Sequence, residues 1–290
     1  MDCLSTTSAP AVAALLRDFS LEMTAKDIPG LEEARTHIPA RTRINVTFLG
    51  SEDLAMRLAA ARAVQQSGFT PVPHISARRL RSRSELDQFL GALSSDGTAG
   101  SVFVIGGDPV TPHGPYGDSL ALIRSGLLQK HGVRHVGIAG YPEGHPAIAG
   151  PALWSAVKDK TTALAQHGLS GDVITQFGFD AEPVLTWVEE VRKRGIDVPV
   201  RVGVPGPAGV RRLMTYAARF GVGTSASLAK KYGFSVTQLM GTAGPERFIR
   251  ALADGYDERR HGVLKLHFYT FGGLGATSRW VSDFRTGEES

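Results

Sequence analysis

The stretch His135-Val136-Gly137-Ile138-Ala139-Gly140-Tyr141-Pro142-Glu143-Gly144-His145-Pro146 is an apolar run that breaks into a polar turn carrying a tyrosine, a glutamate and a histidine. An amphipathic stretch, Pro151–His167, follows it, and then a second β-favouring run, Asp172–Gln176. Strand, turn, helix and strand in that order make a βαβ unit, because two parallel strands need a crossover of a dozen or more residues.

The unit recurs in both directions along the chain. Strands are predicted at Phe19–Glu22, Arg43–Phe48, Thr70–His74, Ser101–Ile105, His135–Ala139, Asp172–Gln176, Val198–Val202 and Leu264–Tyr269, eight in all. Helices are predicted between them at Ser51–Gln66, Ser84–Leu93, Ser119–Gln129, Pro151–His167, Pro183–Arg194 and Ala208–Phe220. Ser51 and Ser84, each followed by acidic residues, are the expected caps, and glycines such as Gly68, Gly168 and Gly195 mark helix ends. Eight alternating units are the number that closes a (β/α)8 TIM barrel. The long interval from Val202 to Leu264 predicts extra helices before the last strand, with Ser225–Tyr232, Ser235–Met240 and Pro245–Ala253 as candidates. No linker parts the chain, so residues 1–290 are expected to form one catalytic domain. An open doubly wound sheet is the alternative, but it calls for a Gly-rich dinucleotide turn after an early strand, which is missing.

In such a barrel the chemistry gathers where the βα loops meet, at the C-terminal ends of the strands. Polar residues fall at those ends: Glu22, Thr47, His74, Gly106-Gly107-Asp108, Tyr141 to Pro146, Gln176-Phe177 and His267 to Thr270. Each has a plain structural explanation. Glu22 can be a surface carboxylate, His74 a hydrogen-bonded core histidine, and Gly-Gly-Asp an ordinary turn. Their pooling at one mouth is harder to explain by structure alone.

Tyr141 to Pro146, with Lys160 in the next helix, resembles the YPExHP segment of methylenetetrahydrofolate reductases. Ile174-Thr175-Gln176-Phe177-Gly178-Phe179-Asp180 is similar to that family's ITQxxFD element, and His267-Phe268-Tyr269-Thr270 to its HFYT strand. Ser20-Leu21-Glu22-Met23 has the position and shape of its S-F-E-F segment, so the likeness runs from about residue 18 to 272. The resemblance implies interconversion of methylenetetrahydrofolate and 5-methyltetrahydrofolate with NADH or NADPH, a step of one-carbon metabolism and methionine biosynthesis. It implies that Glu22 is the general acid, protonating a pterin nitrogen as the imidazolidine ring opens to the iminium that accepts hydride. Burial in the mouth is expected to raise the pKa of Glu22 for that task. It makes Asp108 a catalytic and folate-binding aspartate, with Gln176, Phe177 and Tyr269 also on the folate. Thr47, His74, Gly107, Tyr141, His145, Lys160 and Gln176 are placed around the hydride-carrying cofactor.

The departures concern FAD, which the usual family member holds. The arginine of its turn after strand four is here Gly106, and the helix positions that bear Asp, Asn and Arg read Leu153, Ala156 and Asp159, leaving Lys160. At roughly 1.5–3 kcal/mol for each charged hydrogen bond lost, FAD binding should weaken severely. Tightly bound FAD is therefore not expected, and NAD(P)H is expected in its place. FAD held by backbone amides or Lys158 is the alternative.

Composition sets the outer bounds. The net charge is +4 with basic residues scattered rather than striped, so no nucleic acid partner is expected. The single cysteine, Cys3, excludes a disulfide framework and a cysteine-based metal site, and no metal is expected. With no long apolar run and no signal peptide, the expectation is a cytoplasmic protein with no membrane contact. Arg78, Arg79 and Arg81 after strand three are either a solvated loop or contacts for a phosphate or a folate tail. The rival functions are a pterin-binding methyltransferase barrel, a Schiff-base aldolase using Lys265, and a non-catalytic folate-binding protein. Oligomeric state leaves no mark in the sequence.

Overall fold

In the computed structural model, residues 8–50, 52–222 and 242–289 are described. Eight strands run β1 (Ser20–Met23), β2 (Arg43–Val46), β3 (Thr70–Ser76), β4 (Ser101–Ile105), β5 (His135–Gly140), β6 (Ser170–Phe177), β7 (Val200–Pro205) and β8 (Leu264–Tyr269). Every neighbouring pair is parallel, and β8 pairs with both β7 and β1, so the sheet closes into a barrel in the order β1-β8-β7-β6-β5-β4-β3-β2. All eight predicted strands are present, with ends shifted by a few residues.

The helices are α1 (Ser8–Leu15), α2 (Leu31–Arg35), α3 (Leu54–Gln66), α4 (Arg83–Ser95), α5 (Ser119–Ile123), α6 (Leu127–Lys130), α7 (Gly150–Gln166), α8 (Ala181–Lys193), α9 (Val210–Phe220), α10 (Glu246–Gly255), α11 (Glu258–His261) and α12 (Leu274–Glu289). Extra helices do precede the last strand, as α10 and α11; the predicted helices Ser225–Tyr232 and Ser235–Met240 lie outside the described residues.

Several local expectations are corrected. The cap of α3 is Asp53, whose Oδ1 accepts the Met56 N–H at 2.8 Å, while Ser51 lies outside the described residues. Ser82 rather than Ser84 caps α4: its Oγ accepts the Glu85 N–H at 3.1 Å, the three-residue spacing a capping box requires. The predicted helix Ser119–Gln129 is two short ones, broken where Gly126 turns to φ +74, a left-handed conformation that glycine adopts without a steric penalty. Ala208–Gly209 belongs to a two-residue pairing with Thr242–Ala243, so α9 begins at Val210. The terminal helices α1 and α12 are absent from the predicted set; they pack on each other, and Trp280 of α12 lies 6.0 Å from the Phe268 ring of β8.

Alternation divides the strand residues. Leu21, Ile44, Val104, Ile138, Val202 and Phe268 point outward into one continuous apolar layer shared with the helices. The inward residues of the floor are charged. Asp172 on β6 takes Arg201 Nε at 2.7 Å and lies 3.4 Å from Arg43 Nη1 across the barrel, with His135 Nε2 at 3.3 Å. Both arginines also reach Asp18, Arg43 at 2.8 Å and Arg201 at 2.9 Å, in the turn before β1. Above them Val72, Phe103 and Ile174 form an apolar layer.

Breaking a buried pair strands the remaining charges, at a cost of about 3 to 5 kcal/mol. Asp172→Asn should lower the unfolding free energy by that amount in urea titrations. A loss under about 1 kcal/mol would show that the floor is not held by this carboxylate.

Candidate active site

The upper inward positions carry the polar residues. Glu22 on β1 is 15% exposed at its side chain, and its Oε2 lies 3.3 Å from Nε2 of His267 on β8. The strand end beneath it is clamped from both neighbours: Thr47 Oγ1 donates to the Met23 carbonyl at 2.5 Å and Thr270 Oγ1 to the Glu22 carbonyl at 2.7 Å. Burial alone pushes the Glu22 carboxyl up, as expected from the sequence. The His267 hydrogen bond, with His74 and His267 electrostatics, outweighs it, so the net direction is below the ordinary glutamate value. That sign is opposite to the expectation, because the sequence did not show a histidine against the carboxylate.

His74 on β3 is buried, which drives its pKa down to about 4; Glu22 opposes the shift and His267 adds to it. It is therefore neutral near pH 7. Asn45 Nδ2 lies 3.3 Å from its Nε2, which places the ring proton on Nδ1, and that nitrogen has no partner. A buried donor left without a partner costs about 1 to 3 kcal/mol. Ser76 Oγ, two residues along the same inward face, is also buried and unpaired.

Tyr269 on β8 donates to the Thr175 carbonyl at 3.0 Å. Burial, then the charges of Glu22 and Tyr141, hold its hydroxyl well above the usual tyrosine value, so it remains a neutral donor. Tyr141 and His145 meet edge to face at 5.1 Å; burial raises the first and lowers the second. Gln176 is half-buried beside Thr175, its Oε1 accepting the Phe177 N–H at 3.1 Å.

Glu22, His74, Tyr141, His145 and Tyr269 are thus brought into one neighbourhood, with Thr47 and Gln176 on adjoining strand ends. Four further expected residues, Phe177, Asp108, Gly107 and Lys160, are held in other ways. Phe177 is 2% exposed and is the hub of an aromatic cluster with Phe179, Phe220, Tyr269 and Phe271, so it shapes the wall rather than facing a ligand. Asp108 is 70% exposed and held by Arg79, whose Nε and Nη2 donate to its carboxylate at 2.9 and 2.6 Å. Gly107 precedes it at φ +92, where a Cβ would collide with the Ser76 hydroxyl, so a glycine is needed there. Lys160 is half-buried on α7; burial lowers its pKa and Asp118 is the charge that opposes this. His267, counted in the sequence among the polar strand ends, and Ser20, quoted there beside Glu22, were given no role, although the alternation Ser20, Glu22 and His267, Tyr269 on adjacent strands places them together.

The sequence model of the family described as Methylenetetrahydrofolate reductase matches residues 34–279. The chain belongs to the methylenetetrahydrofolate reductase family. The matched region runs from α2 into α12, so Glu22 precedes it. Methylenetetrahydrofolate reductase 2 of Saccharomyces cerevisiae is 36% identical over 85 residues, which is 29% of this chain and 12% of that protein. The match thus spans a small part of the curated relative's length. Among solved structures, an uncharacterized protein from Clostridium thermocellum that binds two copies of 5-methyl-5,6,7,8-tetrahydrofolic acid has a TM-score of 0.58. That likeness covers 97% of this chain and 99% of that one at 9% identity, and it speaks for the barrel fold alone. Among the described residues no helix is long and apolar enough to cross a membrane, and no group of three or more metal-binding side chains is present.

The pKa of His74 gives a stability test. A histidine at about 4 in the folded protein and near 6.5 unfolded binds fewer protons when folded, so stability rises with pH across that window and is lost as pH falls from about 6.5 towards 4. Between pH 7 and pH 5 this group should remove about 2 kcal/mol. His74→Gln should flatten the pH dependence of the urea midpoint by that much; an unchanged slope would contradict the buried neutral ring.

Proposed function

We propose that the protein is a 5,10-methylenetetrahydrofolate reductase that passes hydride from NADH or NADPH to a folate one-carbon unit, with Glu22 as general acid. The observation that carries this reading is a carboxyl group in the barrel mouth with His267 beneath it and the neutral rings of His74 and Tyr269 around it. Glu22 donates its proton to a ring nitrogen as the imidazolidine carbon–nitrogen bond opens, and the iminium carbon takes hydride from the nicotinamide. Before folate binds, the His267 hydrogen bond favours the carboxylate form. A pterin lying over the mouth removes the remaining solvent from Glu22 and strengthens the burial that raises its pKa. Asp108 acts at the rim, where its charge favours the cationic iminium, and Gln176 and Tyr269 orient the folate.

The residues present do not fit tightly bound FAD. A pyrophosphate calls for several cationic donors. Gly106 offers no side chain, Leu153 and Ala156 offer no polar one, Asp159 carries the wrong charge, and Lys160 has Asp118 near it. We therefore assign the hydride to the nicotinamide directly. A folate-binding barrel without hydride transfer is the second reading, favoured by the His267 hydrogen bond that holds Glu22 towards its carboxylate form. Residues 1–290 acting as one catalytic domain, and a cytoplasmic location, are parts of the same proposal.

Anaerobic NADH and NADPH oxidation with methylenetetrahydrofolate and no added flavin tests it. Folate-dependent oxidation is expected; oxidation only after adding FAD would overturn the cofactor assignment, and none in either case would favour the second reading. Glu22→Gln should lower turnover at least ~100-fold while leaving nicotinamide affinity unchanged, and near-normal turnover would remove it as the acid. Asp108→Asn should weaken folate binding and slow hydride transfer; a loss of nicotinamide binding alone would put the aspartate in a different role.

A further inference from the structure

The side chain that governs Glu22 is His267. It is 1% exposed, and it sits directly opposite Ser20 in the parallel pairing of β1 with β8. Alternation then sends Ser20, Glu22 and His267 inward on one side of the wall. Ser20 Oγ lies 2.8 Å from Nδ1 of His267, and Nε2 lies 3.3 Å from Glu22 Oε2. A carboxylate can only accept, so Nε2 carries the proton facing Glu22; in the neutral ring Nδ1 then accepts from the Ser20 hydroxyl.

We propose that His267 is the positioning residue for Glu22: locked by Ser20 in the Nε2–H tautomer, it aims the carboxyl group into the mouth and sets when that group carries a proton. This rests on reading Glu22 as the acid of the folate reaction. The other titratable groups facing Glu22 are His74 on β3 and Tyr269 on β8, and burial keeps both uncharged near neutrality. The His267 hydrogen bond is the largest of the interactions that oppose burial at Glu22, ahead of the electrostatics of His74 and of His267 itself. A ligand covering the mouth deepens the burial and leaves His267 in place, so proton uptake by Glu22 is coupled to folate entry. When Glu22 gives up that proton, the electron pair of the opening carbon–nitrogen bond goes to the nitrogen, and the carboxylate left behind is met by the Nε2–H already aimed at it.

The test is a carboxyl-carbon NMR titration of the free, glutamate-labelled protein, with the Glu22 signal identified by its loss in Glu22→Gln. His267→Leu removes the donor and should raise the Glu22 midpoint by about one pH unit. His267→Gln keeps an N–H donor and should restore most of the difference, while Ser20→Ala should move the midpoint the same way by less. An unmoved midpoint in His267→Leu overturns the proposal, as does a His267→Gln midpoint displaced as far as that of the leucine variant. If His267→Leu does not fold, an unmoved midpoint in Ser20→Ala overturns it. In activity, the high-pH limb of the kcat/KM profile should follow the NMR midpoint upward; a uniform loss at every pH, with the limb in place, marks a merely structural histidine. Expected NMR shifts in a protein that never oxidises NAD(P)H would leave the proposal standing and remove the reductase reading. Folate-dependent oxidation without the NMR shifts would do the reverse.

Discussion

The contact on which the barrel rests is the carboxylate of Asp172 among Arg201, Arg43 and His135. A closed ring of eight parallel strands turns half of its side chains to the axis, and that axis has to be filled. Here the floor is filled by charge, and charge taken out of water has to be paired. Asp172 joins β6 to β2 across the axis and β6 to β7 along the wall, while Asp18, in a left-handed conformation before β1, receives both arginines. Through Asp18 the floor also fixes the start of the strand that carries Glu22.

Polarity changes up the axis. An apolar layer of Val72, Phe103 and Ile174 separates the charged floor from the upper polar residues. Above it His74 and Tyr269 are neutral, and the carboxyl group whose charge reaches both is Glu22. Water is largely excluded there, so a single hydrogen bond shifts the balance between protonated and ionised glutamate far more than it would at the surface. The rim is different: Asp108 and Arg79 form an exposed bidentate pair, where solvent screens the attraction and the gain is small. One side of the mouth is therefore set by burial, the other by geometry that a ligand can rearrange at little cost.

Membership in the methylenetetrahydrofolate reductase family agrees with this division. The matched residues 34–279 include the strand ends of β5, β6 and β8, which carry Tyr141, Gln176 and Tyr269. On the turn after β4 and along α7, Gly106, Leu153, Ala156 and Asp159 are small, apolar or acidic, while Lys158 and Lys160 are basic.

The sequence by itself determined the eight strands, their parallel order and the set of polar strand ends, because period-two patterning, glycine stops and crossover lengths are local properties. It also carried the family's motifs. Local errors arose where a choice between neighbouring residues depended on spacing or a backbone angle, as with Ser82 over Ser84 and the break at Gly126. Only the tertiary structure decided that His267 sits under Glu22, that Phe177 turns into an aromatic cluster and that Asp108 is taken by Arg79. Those facts depend on which strands become neighbours when the barrel closes and on how deeply each side chain is buried. Glu22 and His267 are 245 residues apart in the chain, and closure between β1 and β8 is what puts a proton donor against the carboxylate and reverses the direction of its pKa.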